Sequence, residues 1–152
     1  MVDREMAAFL EDGVGIHIGT RNASLEPNGA RAISVKVEPD GGHLLVLISQ
    51  TAAARVLPDL EDNGQAAVVF ARPTDERSCQ VKAVFAGVRA VNGAERAHAR
   101  AQWNAFLSNL EFIGIPRVSS RTWIDVPDLA IRLRITAVFE GTPGPAAGKA
   151  LS

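Results

Sequence analysis

The sequence predicts a mainly β chain in which about six antiparallel strands curl into a barrel flanked by helices. Two observations carry this expectation. Segments with two-residue alternation or continuous apolar runs recur along most of the chain, and most neighbours among them are joined by tight-turn residues rather than by helical crossovers.

The elements follow in order. Asp3 can cap a short helix over residues 3–12 that places Met6, Phe9 and Leu10 on one side and stops near Gly13. Val14, Ile16, Ile18 and Thr20 then alternate with Gly15, His17 and Gly19, as a strand does. Asn28-Gly29 reads as a turn, and Arg31 to Glu38 as a second strand closed by Pro39-Asp40-Gly41-Gly42. Leu44 to Ser49 is a continuous apolar run bounded by turns, which suits a central strand buried on both faces. Residues 50–62 carry helical spacing that Pro58 must break into two short pieces, with Asn63-Gly64 as the stop. Gln65 to Arg72 and Arg77 to Val91 form a long hairpin around Pro73-Thr74-Asp75, its second strand long enough to need a bulge near Gly87. Asn92 and Glu95 have the form of a capping box, and Trp103, Phe106, Leu107, Leu110 and Ile113 continue at helical steps to Gly114. A loop to Asp128 leads into a last strand in which Ile131, Leu133, Ile135, Ala137 and Phe139 share one face. Residues 141–152 read as a disordered tail.

Composition bounds the function. At 152 residues, 47% hydrophobic and 22% charged, the chain reads as one domain over 1–152 with no internal repeat. Cys79 is the single cysteine, which excludes an internal disulfide and a thiol pair for a metal. A formal charge of −1 gives no global field toward nucleic acid or acidic membranes. The apolar runs fall far short of the roughly 20 residues of a membrane span, and Asp3, Arg4 and Glu5 interrupt any secretory leader, so a cytoplasmic protein is expected. The positive charge rests on 13 Arg against 3 Lys. A guanidinium suits phosphate or carboxylate, but a GC-rich genome also raises arginine, so spacing has to decide.

Dinucleotide-fold, P-loop and hydrolase-elbow motifs are missing, and the three histidines stand apart from one another, so no metal site is expected. His17 lies between Gly15 and Gly19, where small neighbours let a ligand approach, although a packed histidine is the commoner case. Trp103 belongs to the helical stripe, whereas Trp123 in the loop is the better ligand or lid candidate. Cys79 reads as a small core residue, and Arg132 and Arg134 as either a second anion contact or a solvent face.

One ordered set of residues is more informative. Arg31-Ala-Ile-Ser-Val-Lys36 precedes a turn, an apolar strand ending in Ile48-Ser49, Arg55 in the next helix, and Gln80-Val81 on a later strand. Over residues 14–91 this pattern resembles the pyridoxamine 5'-phosphate oxidase-like flavin-binding proteins. The resemblance implies an antiparallel split β-barrel that dimerises with FMN at the subunit interface. It further implies that Arg31, Ser49 and Arg55 serve the phosphate while Lys36 and Gln80 contact or tune the ring. The physical logic agrees, since a dianionic phosphate rewards Arg, Lys and hydroxyl donors and a glutamine amide can both donate and accept. The chain departs from the oxidase itself. Ile48 replaces a tyrosine, Ala54 a second basic residue, Ser78 and Cys79 intervene between Arg77 and Gln80, and no tyrosine exists for the vitamin's phosphate. The resemblance therefore implies not that oxidase but an FMN-dependent oxidoreductase acting on a small organic substrate. Alternatives on the same barrel are a non-catalytic flavin- or haem-binding dimer and a deazaflavin-dependent reductase. No catalytic residue is identifiable.

Overall fold

A computed structural model describes residues 1–152. Along the chain it contains α1 (Arg4–Leu10), β1 (Gly15–Arg21), β2 (Pro27–Ala32), β3 (Ser34–Val37), β4 (His43–Ile48), α2 (Gln50–Ala53) and α3 (Leu57–Asn63). These are followed by β5 (Gln65–Ala71), β6 (Ser78–Ala90), α4 (Gly93–Phe112), a single 3-10 turn (Arg117–Ser120) and β7 (Leu129–Glu140). All strand pairings are antiparallel, in one seven-stranded sheet of order β2-β1-β5-β6-β7-β4-β3. The sheet curls on itself, with flanking helices, as a split β-barrel. No helix is long and apolar enough to cross a membrane.

Burial explains why β4 carries an unbroken apolar run. Leu44, Val46 and Ile48 enter the barrel interior with Ile16, Ile18, Phe70, Val81 and Leu133. Leu45 and Leu47 face outward into a second cluster, where Trp103, Phe106 and Leu110 of α4 cover the barrel. Helix α4 opens on the Asn92–Glu95 capping box and is fastened by Gln102, which is 3% exposed. The Gln102 carbonyl accepts from Ser34 Oγ at 2.7 Å and Val35 N at 2.9 Å, and its amide donates to the carbonyls of Leu10 and Asp12.

Pro58 falls at the start of α3, where a missing N–H costs nothing. Gly64, at φ 73°, ends that helix in the left-handed region. The strand expected to need a bulge has one at Gly87, at φ 136°, where the β6–β7 register shifts.

Four local expectations are corrected. Arg31–Glu38 is two strands, because the chain leaves one edge of the sheet at Ala32 and joins the other at Ser34. Between them Ile33 N donates to Leu47 O at 2.9 Å as the barrel closes. This break raises the strand count to seven. Asn28-Gly29 lies within β2, and the turn sits earlier, where the Asn22 side-chain oxygen accepts from Ser24 N and Glu26 N. In β7 the register against β6 shifts so that Lys82 faces Ala137 and Ala83 faces Ile135. Thr136 is the extra residue, and beyond it Val138 enters the core in place of Ala137 and Phe139. Residues 141–152, expected as a disordered tail, instead return along β7: Leu151 N donates to Val138 O and Gly148 N to Glu140 O, both at 2.7 Å.

Candidate functional site

Register across four strands builds the outer face of the sheet. Arg31 on β2 stands opposite His17 on β1, His17 opposite Val69 on β5, and Val69 opposite Gln80 on β6. The next row outward in the same alternation is Gly29, Gly19, Ala67 and Lys82. A mainly polar row therefore borders one that is small from Gly29 through Ala67 and ends on Lys82, on the face opposite Ile16, Ile18, Val68 and Val81, which fill the barrel.

Neither Gly19 nor Gly29 is demanded by its backbone. Both lie outside the left-handed region, and a Cβ would meet nothing nearer than Ala67 O at 3.8 Å or Ile18 O at 3.5 Å, respectively. Glycine within a strand costs roughly 0.5–1 kcal/mol relative to alanine, so its use here leaves the sheet face open to close approach from outside.

Two recesses meet on this face. One, of about 440 Å³, is lined by His17, Gly19, Gly29, Arg31, Gln80 and Arg55 among others. The other, of about 280 Å³, is lined by Arg31, Ser49, Thr51, Arg55 and Trp123. They share Ala30, Arg31 and Arg55, and no carboxylate lines either.

Arg31, Ser49, Arg55 and Gln80 are thus brought together although 49 positions separate the first from the last in sequence. Lys36 is not with them. It sits on β3 opposite Leu45, at the far edge of the sheet order from β2, where its charge helps lower the pKa of Glu95.

The two arginines that line these recesses carry uncompensated charge. Arg72, Arg77, Arg89, Arg117 and Arg132 each have a carboxylate partner; Arg31 and Arg55 have none. The Arg31 guanidinium instead lies 4.6 Å from the Trp123 ring centroid and 5.8 Å from that of Phe106, and its half-burial lowers its pKa from the usual guanidinium value. His17 beside it is pushed below the usual imidazole value, first by desolvation and then by the Arg31 charge.

Ser49 follows β4 directly and caps α2, its Oγ accepting from Ala52 N at 3.2 Å, which leaves the hydroxyl hydrogen to donate. Thr51 adds a second hydroxyl from the same turn. Sequence reasoning passed over it, and the only signal was its place two residues after Ser49. The flat floor of Gly19, Gly29 and Ala67 was also missed, because only the strand register aligns these residues.

Other candidates lie elsewhere. Cys79 is 2% exposed and faces the core, and burial, followed by the Glu140 charge, pushes its thiol up to about 12, so it has no nucleophile's environment. Arg132 donates through two nitrogens to Glu38, at 2.8 and 2.7 Å, while Arg134 is exposed. Glu38, Asp40 and His43 gather within 4.8 Å of one another, but Arg132 holds Glu38, and Asp40 accepts from Gly42 N.

No family model and no curated protein matches the chain. Solved structures do. An F420 reductase superposes with a TM-score of 0.60 at 15% identity, covering 90% of this chain and 98% of that one. HupZ of Group A Streptococcus gives 0.59 at 15% identity, covering 97% and 100%. An FMN-binding protein of Syntrophomonas wolfei gives 0.55 at 12% identity, covering 90% and 86%. At these identities the likeness establishes the fold, which is shared by proteins described by different ligands.

Proposed function

We propose that this chain is a flavin-binding split-barrel protein which holds FMN by its phosphate and serves as an FMN-dependent oxidoreductase for a small organic substrate. The observation that carries the reading is the pair of arginines without carboxylate partners, Arg31 and Arg55, lining joined recesses that also present the hydroxyls of Ser49 and Thr51. A phosphate dianion would give both guanidinium groups the charge-assisted hydrogen bonds they lack within the chain.

The donor set fits such a cofactor. Arg31, Arg55, Ser49 and Thr51 would hold the phosphate, and Gln80, in the polar row across the sheet from Arg31, offers an amide to a polar ring edge. Gly19, Gly29 and Ala67 leave room for a flat group on the strand face. When bound, the flavin supplies hydride or electron transfer, so the side chains need only bind, orient and exclude water. Lys36, expected to contact or tune the ring, lines neither recess. The reading includes a homodimer with the flavin at the subunit interface.

A deazaflavin cofactor is the second reading, favoured by the fold shared with an F420 reductase. Both readings are tested by the visible spectrum of the purified protein after addition of FMN, or of a deazaflavin to a parallel sample, and desalting, with the mass measured in solution. Absorbance near ~450 nm at one flavin per chain of a dimer supports FMN. A protein that sheds FMN but retains a deazaflavin replaces the first reading with the second, and retention of neither overturns both.

A further inference from the structure

The open face continues past the glycine floor into another recess, of about 500 Å³, whose lining includes Gly19, Arg21, Asn63, Gln65, Ala67 and Lys82. Gly19 and Ala67 also line the recess that holds Arg31 and Arg55, so the two spaces form one trough. Arg21 and Lys82 are the only charged residues of this second end, and neither has a carboxylate partner. The Arg21 guanidinium makes one hydrogen bond, a 3.3 Å donation to the carbonyl of Asn22. Asp59, the carboxylate that accepts from Thr20, is held by Asn28 as well and does not line the recess.

Two like charges lining one recess repel each other, and an anion between them would remove that cost while gaining charge-assisted hydrogen bonds. Arg21 lies four residues beyond His17 on β1, and His17 faces Arg31, so Arg21 is about 13 Å along the strand from the Arg31 row, while Lys82 stands two strands across from β1 at the end of the Gly19 row. That distance is too long for one phosphate to bridge and leaves the small-residue floor between them.

We infer that the trough is a two-ended anion site in which Arg21 and Lys82 bind the carboxylate or phosphate of a second ligand. On the FMN reading, from which this assignment follows, that ligand is an anionic organic substrate whose uncharged part extends from this end toward the flavin seated on the Gly19, Gly29 and Ala67 floor.

The test uses FMN-loaded protein titrated separately with inorganic phosphate and with succinate, following backbone amides by 15N NMR. Saturable shifts at Gly19, Thr20, Ala66 and Ala67 with flavin retained are expected, and the more effective anion identifies the group recognised. The double substitution Arg21→Gln, Lys82→Gln should weaken that binding at least tenfold and leave flavin retention as in the wild type. Unchanged affinity in the double variant, shifts confined to the Arg31 and Arg55 end, or no saturable shift overturns the inference. If the wild type retains no FMN, the flavin-free protein is titrated in the same way. Saturation at both ends then keeps the two-ended site and discards only the flavin.

Discussion

The Arg31 guanidinium carbon sits 4.6 Å from the centroid of the Trp123 ring, so a loop indole covers the cation that the β2 edge presents to the candidate site. A cation over an indole face is worth roughly 0.5–2 kcal/mol, and the contact orients the guanidinium without satisfying its hydrogen-bond donors. An anion reaching Arg31 must therefore perturb Trp123. Indole emission should change on titration with FMN or inorganic phosphate, and Trp123→Phe should abolish the phosphate response. Trp103, buried on α4 with its ring 6.2 Å from that of Trp123, supplies the emission that remains in that variant. A phosphate response that survives in Trp123→Phe would separate the loop from the site.

Arg31 and Arg55 are expected to act together. Arg31→Ala or Arg55→Ala should each weaken FMN binding by about 1 to 3 kcal/mol, the range for losing a charge-assisted contact. The same substitution at Arg134, exposed and outside both recesses, should leave affinity unchanged. Fluorescence titration of flavin against the three variants checks this, and equal affinities in all of them would remove the phosphate cradle.

Gly19 separates binding from folding. A Cβ there has 3.8 Å to its nearest neighbour, and leucine suits a strand better than glycine, so Gly19→Leu should unfold at the wild-type temperature or slightly above. The added side chain occupies the floor, and retention of FMN after desalting should be lost. A variant equally stable and still yellow would show that the open face is not where the flavin lies.

What could be read in the sequence was local. The β4 run, the Asn92–Glu95 box, Pro58, and the bulge at Gly87 all depend on neighbours in the chain, and each matches the structure. Arg31–Glu38 was legible as extended chain but not as two strands, because the break at Ile33 is imposed by closure of the barrel against Leu47. The outward turn of Phe139 was hidden for a similar reason, since the extra residue at Thr136 exists only relative to β6. For the site, the ordered spacing of Arg31, Ser49, Arg55 and Gln80 marked residues that do converge, while Lys36 is carried to the opposite edge by the same break at Ile33. Lys82 and Arg21 had no signal, because their common recess is a product of strand register.

Gln102 tests what holds the barrel and α4 in place. Its side chain satisfies two donors, Ser34 Oγ and Val35 N, and two carbonyls, those of Leu10 and Asp12, in a region with almost no solvent. Gln102→Leu keeps the volume but orphans these groups, so a loss of about 2 to 4 kcal/mol is expected. Urea unfolding should show a lower midpoint with an unchanged slope. A midpoint within error of the wild type would mean that water or a shift of α4 replaces all four bonds.

The pH dependence of anion binding follows from the pairing of His17 with Arg31. Desolvation and the Arg31 charge hold the His17 pKa below the usual imidazole value, so between the two values the unfolded chain carries a proton that the native state does not. This contribution therefore destabilises the fold as pH falls below the unfolded value of about 6.5. An anion beside Arg31 reverses the electrostatic part of the shift and raises the His17 pKa. By linkage its affinity must then strengthen as pH falls through that range. Sulfate is the appropriate probe because it stays a dianion throughout. NMR titration of the His17 ring should give a midpoint below the usual value in the free protein and a higher one with saturating sulfate. Arg31→Ala should recover part of the shift but not all of it, since desolvation is the larger cause. A His17 midpoint that sulfate does not move would place the bound anion away from the Arg31–His17 pair.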